Sequence, residues 1–272
     1  MPARKVLMLH GYAQNAAILS KRMGAIRKQC GNEVDLVFVD APHILHPADL
    51  SGLSSSALNA PEASLTDPKP DNPAETPRGW WTSNPERTIY AGASESLVLL
   101  RDILVKDRYE GVFGFSQGGA MAALLSAALE RPHLHPPFLV DDQAPHPPFK
   151  FCISVSGFLP LDVALRPLFE PNYSTPTLHI IGMTDFVVAH ERSKALIDAC
   201  APGTARVLVH EGGHFVPSKA TWRNFFKDYF VKTGVEGEEE VPGPVGTENV
   251  PEELRPRQLS SASTEGAVEV TA

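Results

Sequence analysis

Apolar residues in this chain follow two rhythms. Short, nearly continuous runs fall at Lys5–Leu9, Glu33–Val39, Val112–Phe115, Phe149–Val155, Thr177–Ile181 and Arg206–His210. Runs of this length and apolarity predict strands buried on both faces. Between them the spacing turns helical. Asn15 to Gln29 places Ile18, Leu19, Met23 and Ile26 on one side, and Ser94–Lys106 carries a stripe of Leu97, Leu100, Ile103 and Leu104. Gln117–Leu129 is rich in Ala and Leu, which suits close packing on a sheet. His190–Cys200 is a further helix. Pro217–Val231 is the last, with Trp222, Phe225, Phe226 and Tyr229 and a proline at its first turn. Strands alternating with helices predict an α/β fold, a mostly parallel, doubly wound sheet with helices on both faces.

Two segments break the alternation. Residues 42–92 hold many Pro, Ser, Asn and Asp, and residues 131–148 (RPHLHPPFLVDDQAPHPP) are proline-rich. Loops this long are commonly functional covers or disordered excursions, and a cover over the site is one expectation for both. The folded domain is expected to end near residue 232. Beyond it the chain is rich in Pro, Gly, Ser and Glu, and 233–272 reads as an acidic, disordered tail.

Charge sharpens that division. Nine glutamates and two arginines fall in 236–272, so this segment carries nearly all of the net charge of −8. The body shows no basic field of the kind that binds nucleic acid. Cys30, Cys152 and Cys200 have no metal or redox spacing. His133, His135 and His146 lack the carboxylate–histidine spacing of a hydrolytic metal site, so neither a metal nor another cofactor is expected. No apolar segment reaches the roughly 18 residues that span a bilayer, and the apolar run near the N-terminus is too short for a secretory signal. A cytoplasmic protein is the expectation.

A doubly wound sheet places its functional residues on the loops after the C-terminal strand ends. Those loops carry His10-Gly11-Tyr12-Ala13-Gln14-Asn15, then Gly114-Phe115-Ser116-Gln117-Gly118, then Gly182-Met183-Thr184-Asp185, then Glu211-Gly212-Gly213-His214. A serine, an aspartate and a histidine thus follow three strands in the order of the α/β-hydrolases. Each is weak alone, since a G-x-S-x-G can be a bland turn, Asp185 a helix cap and His214 a solvated loop residue. Together they fit nucleophilic catalysis. A serine hydroxyl needs an adjacent base, which His214 would supply, and the base needs an acid to fix its tautomer, which Asp185 would supply. The backbone N–H of Gln117 is one expected oxyanion donor. The second is expected from Tyr12, with Ala13 the neighbouring alternative.

The stretches LHGYAQN, VDAP, RGWW, GFSQGG, SVSGF, HIIGMTDFVV and HEGGHFVPS resemble the FSH family of serine hydrolases, from about Lys5 to Phe230. The resemblance implies a compact α/β-hydrolase fold, esterase or thioesterase activity, and a triad of Ser116, Asp185 and His214. Some members of that family release polyketide acyl chains from synthases. A thioesterase partnered with a synthase carrier domain is therefore the alternative to an esterase of small apolar acyl esters. A non-catalytic binder built on the same fold is a remote third reading, because such proteins tend to lose a triad member. Trp80, Trp81, Phe158, Leu159 and Phe186 are candidates for the pocket wall, each weighed against an ordinary core role.

Overall fold

The computed structural model describes residues 3–50 and 76–257. Its elements run β1 (Arg4–Leu9), α1 (Ala16–Arg22), α2 (Gly24–Cys30), β2 (Val34–Val39), β3 (His43–Ile44), β4 (Arg78–Gly79), β5 (Thr82–Ser83), β6 (Tyr90–Ala91), α3 (Ala93–Leu104), β7 (Gly111–Phe115), α4 (Gln117–Glu130), β8 (Phe151–Val155), β9 (Thr177–Gly182), α5 (His190–Asp198), β10 (Ala205–His210) and α6 (Ala220–Lys232). Six strands form one sheet in the order β10-β9-β8-β7-β1-β2. Every pairing in it is parallel. The two-residue strands make separate antiparallel ladders, β3 with β4 and β5 with β6.

The apolar runs explain the layers. All residues of β7, β8 and β9 are buried. One face of the sheet packs Leu97, Leu100 and Leu104 of α3, the alanines and leucines of α4, and Leu196 of α5. The opposite face packs Leu19, Met23 and Ile26 against Trp222, Phe225, Phe226 and Phe230 of α6. Helix α4 is buried almost along its whole length, as its Ala- and Gly-rich sequence permits.

Several expectations need correction. The single helix over 15–29 is two, joined at Met23, and Asn15 caps the first by accepting the Ile18 amide at 2.8 Å. The last helix starts at Ala220, so Pro217 precedes it instead of occupying its first turn. The 131–148 insertion spans from the start of α3, where His135 Nε2 lies 3.1 Å from Ser94 Oγ, to the start of β7, where His146 accepts the amide of Tyr109 at 3.0 Å. Most of the other long loop, 51–75, lies outside the described residues.

The acidic segment also departs from expectation as far as residue 257. Leu254 is fully buried against Ile181, Ile197, Val207 and Val209, and Val241 is buried on the opposite face of the sheet. Arg206 holds the segment through Glu240 at 3.0 Å and Glu248 at 2.8 Å. Two well-placed apolar side chains and one arginine suffice where average composition predicts no packing. Residues 258–272 lie outside the described residues.

Candidate active site

Ser116 follows β7 with φ 55° and ψ −118°, a conformation that L-residues rarely adopt. Neighbouring glycines make the turn physically possible. A Cβ on Gly114 would come within 1.9 Å of the Gly118 carbonyl, and one on Gly118 within 2.2 Å of the Leu9 carbonyl. The turn is anchored by the Ser116 amide, which donates to the Val155 carbonyl at 2.8 Å. Its product is a serine hydroxyl raised at the start of a helix.

The loops after β9 and β10 converge on that hydroxyl. His214 Nε2 lies 2.9 Å from Ser116 Oγ, and His214 Nδ1 lies 2.8 Å from Asp185 Oδ2. A carboxylate only accepts, so Nδ1 carries the hydrogen and Nε2 is left to accept from the serine. Asp185 Oδ1 accepts the amides of Val187 and Val188 at 2.9 and 3.0 Å, which fixes the carboxylate plane. Burial pushes the Asp185 carboxyl up, but the His214 hydrogen bond and charge, with the Val188 amide and the Ser156 hydroxyl, outweigh it and leave its pKa lowered. Phe115 packs on the His214 ring with centroids 4.9 Å apart.

Two amides were expected to face the serine. Ala13 is ruled out as a donor, because its amide is spent on the Arg78 carbonyl at 2.9 Å. Tyr12 precedes it in the loop after β1. Gln117 opens α4, where a backbone N–H has no partner within the helix.

The Gln117 side chain has a task that sequence reading missed. Its Oε1 accepts the Trp80 amide at 2.8 Å and its Nε2 donates to the Trp81 carbonyl at 2.9 Å. Arg78 continues the same clamp, its amide donating to the Gln14 carbonyl at 2.9 Å. Trp80 Nε1 donates to the His10 carbonyl at 2.9 Å. The His10 ring in turn donates from Nδ1 to the Gly11 carbonyl at 2.8 Å and accepts the Ala41 amide at Nε2, 3.0 Å. Burial pushes the His10 pKa down to about 4, so the ring stays a neutral brace. The RGWW segment and the loop after β1 are thereby tied to the serine turn. No sequence signal could have shown this, because the partners lie 36 and 37 residues apart.

The wall candidates divide. Trp80 is core, fully buried with its ring 5.3 Å from that of His10. Trp81 stacks on Tyr90 at 4.8 Å and meets the edge of Phe158 at 6.3 Å. Leu159 is partly buried against the same core. Phe186, expected in the wall, is 95% exposed and packs into none. A cavity of about 620 Å³ lies beside the His214 loop, lined by Met183, His210, Phe215 and Trp222 among others, and Ser116 is not part of its lining.

Comparison with known proteins supplies a family. Residues 1–226 match the family model described as "Serine hydrolase (FSH1)". The chain is 32% identical over 237 residues to a protein named Esterase OVCA2 from Danio rerio, covering 83% of this chain and 95% of that one. Among solved structures, esterase PE8 aligns with a TM-score of 0.53 at 21% identity, over 84% of this chain and 94% of that one. Zea mays acyl-protein thioesterase 2 aligns with a TM-score of 0.51 at 15% identity, over 80% and 88%. These two likenesses concern the fold. The sequence matches go further, and the chain belongs to the FSH1 serine hydrolase family.

Proposed function

We propose that this protein cleaves carboxylic esters or thioesters of apolar acyl groups through an acyl-enzyme on Ser116. The observation that carries the reading is the unbroken chain of contacts from Ser116 Oγ to His214 Nε2 at 2.9 Å and from His214 Nδ1 to Asp185 at 2.8 Å. Ser116 Oγ attacks the acyl carbon while its proton passes to His214 Nε2. Asp185 stabilises the imidazolium that forms. The amides of Tyr12 and Gln117 hold the oxyanion, each worth about 3 kcal/mol of barrier. Collapse of the intermediate transfers the proton from His214 to the departing alkoxide or thiolate. Water then enters, gives its proton to His214, and releases the acid and the serine. Ester and thioester substrates share this intermediate, so a carrier-bound acyl chain is a substrate of the same chemistry.

Hydrolysis of p-nitrophenyl esters and N-acetylcysteamine thioesters of increasing chain length tests the reading. Turnover by the wild type, lost to background with Ser116→Ala, supports it. Turnover that survives in Ser116→Ala overturns it.

A further inference from the structure

Arg192 stands in the first turn of α5 with its guanidinium carbon 4.0 Å above the centroid of the Phe158 ring. Phe158 belongs to the loop leaving β8, the strand whose Val155 carbonyl receives the Ser116 amide. That loop is held against both sides of the site. Gly157 lies so close to α4 that a Cβ on Gly119 would come within 3.2 Å of its Cα. Its carbonyl accepts Ser193 Oγ of α5 at 2.9 Å. Arg192 therefore sits at the serine's end of the sheet, over the Trp81–Phe158 wall.

A second cation stands on a turn tied to the same loop, where the Thr88 carbonyl accepts the Val163 amide at 3.3 Å and the Tyr90 hydroxyl accepts the Leu161 amide at 3.1 Å. Arg87 caps the turn between β5 and β6 with φ 58°. Asn84 shapes that turn by accepting the amides of Thr88 and Ile89 at 2.8 and 2.9 Å. Both arginines act on Tyr90, which stacks on Trp81. Burial, and next the charge of Arg87, push the Arg192 pKa down.

Neither guanidinium has a hydrogen-bonding or ion-pair partner among the described residues. Arg4, Arg78, Arg131 and Arg206 all donate to carbonyls or carboxylates. The acids around the pair are otherwise engaged. Asp162 accepts the amides of Tyr90 and Ala164, Glu86 accepts from Asn84, and Asp185 serves Val187, Val188 and His214. Glu191, beside Arg192 in sequence, is exposed and makes no ion pair with it. Arg87 is exposed, whereas Arg192 is half-buried with no ion pair among the described residues, so an anion joining the two guanidinium groups would be favoured. The guanidinium forks suit carboxylate or phosphate oxygens, and stacking on Phe158 orients the fork of Arg192.

We propose that Arg192 and Arg87 form an anion subsite at the mouth of the serine site, which favours acyl esters or thioesters bearing a carboxylate or phosphate group. This rests on the hydrolase reading above. The anion has two sources, the acyl chain or the leaving group, and matched substrates separate them. For the acyl chain the pair is p-nitrophenyl hexanoate and the p-nitrophenyl monoester of adipic acid. For the leaving group it is the hexanoyl thioester of N-acetylcysteamine and hexanoyl-coenzyme A.

Arg192→Met keeps an unbranched stem over Phe158 and removes the charge, and Arg87→Asn suits the left-handed turn. Each is expected to lower kcat/KM by roughly tenfold for the charged member of at least one pair. The neutral member should stay within about twofold. Loss in the first pair places the anion on the acyl chain, and loss in the second places it on the leaving group. Equal losses for charged and neutral members, or no loss at all, overturn the subsite while leaving the hydrolase reading intact. Wild-type protein that hydrolyses none of the four overturns both.

Discussion

Ser116 occupies a backbone conformation that costs on the order of 1–3 kcal/mol, and the surrounding glycines make it sterically accessible. A bland turn would relax that strain. Here the strain carries a hydroxyl to a histidine which is itself fixed by a buried carboxylate. Asp185→Asn leaves the shape and offers His214 an amide that can turn its donor toward Nδ1, favouring the wrong tautomer. A kcat loss of about 10⁴ with the fold unchanged is expected from steady-state kinetics and circular dichroism. A loss below tenfold would contradict the role given to Asp185. Buried histidines make a separate prediction. Burial pushes His10 and His210 down to about 4 and His179 down to about 3. Below pH 6.5 the unfolded chain binds protons there that the folded chain refuses. Stability is therefore fully present above about pH 6.5 and falls as pH drops toward 4, by about 1.4 kcal/mol per pH unit for each histidine. The lowered Asp185 carboxyl adds its loss only below its ordinary value of 3.8. Melting temperatures from pH 7.5 to 4.5 check this, and a flat profile would contradict it. At this scale Ser116, Asp185 and His214 were legible, because each is a chemically distinctive residue at a strand end. The proposed roles of Arg87 and Arg192 were not, since they rest on a lack of partners among the described residues, which only three-dimensional packing reveals.

Elements carry the site through their ends. Strand β7 delivers the serine, β9 the aspartate and β10 the histidine, while α4 begins directly after the serine. Strands β7 to β9 were legible because burial on both faces demands continuous apolar runs. The break at Met23 was not, because the apolar stripe passes through it unchanged. The packing of residues 233–257 was equally hidden. Composition averages over the segment, whereas Leu254, with Val250 beside it, packs among Ile181, Ile197, Val207 and Val209. Leu254→Ala should cost about 2–3 kcal/mol in urea unfolding. Unaltered stability would show that the segment does not belong to the folded unit.

For the whole molecule, the parallel sheet gathers residues from distant parts of the chain at one edge. His214 and Ser116 are 98 positions apart and touch. Every pairing in the main sheet is parallel, as strands alternating with helices require, so fold class could be read from the pattern alone. The RGWW segment could not be placed this way. Its two-residue strands have no period to detect, and it is held by the Gln117 side chain and the loop after β1. If this architecture makes Ser116 a nucleophile, treatment with a fluorophosphonate followed by intact-mass analysis should show it. One phosphonyl group per chain is expected, mapped to Ser116 by peptide fragmentation, and none on Ser116→Ala. A folded wild-type protein that stays unlabelled, or a label mapped to another residue, would contradict it.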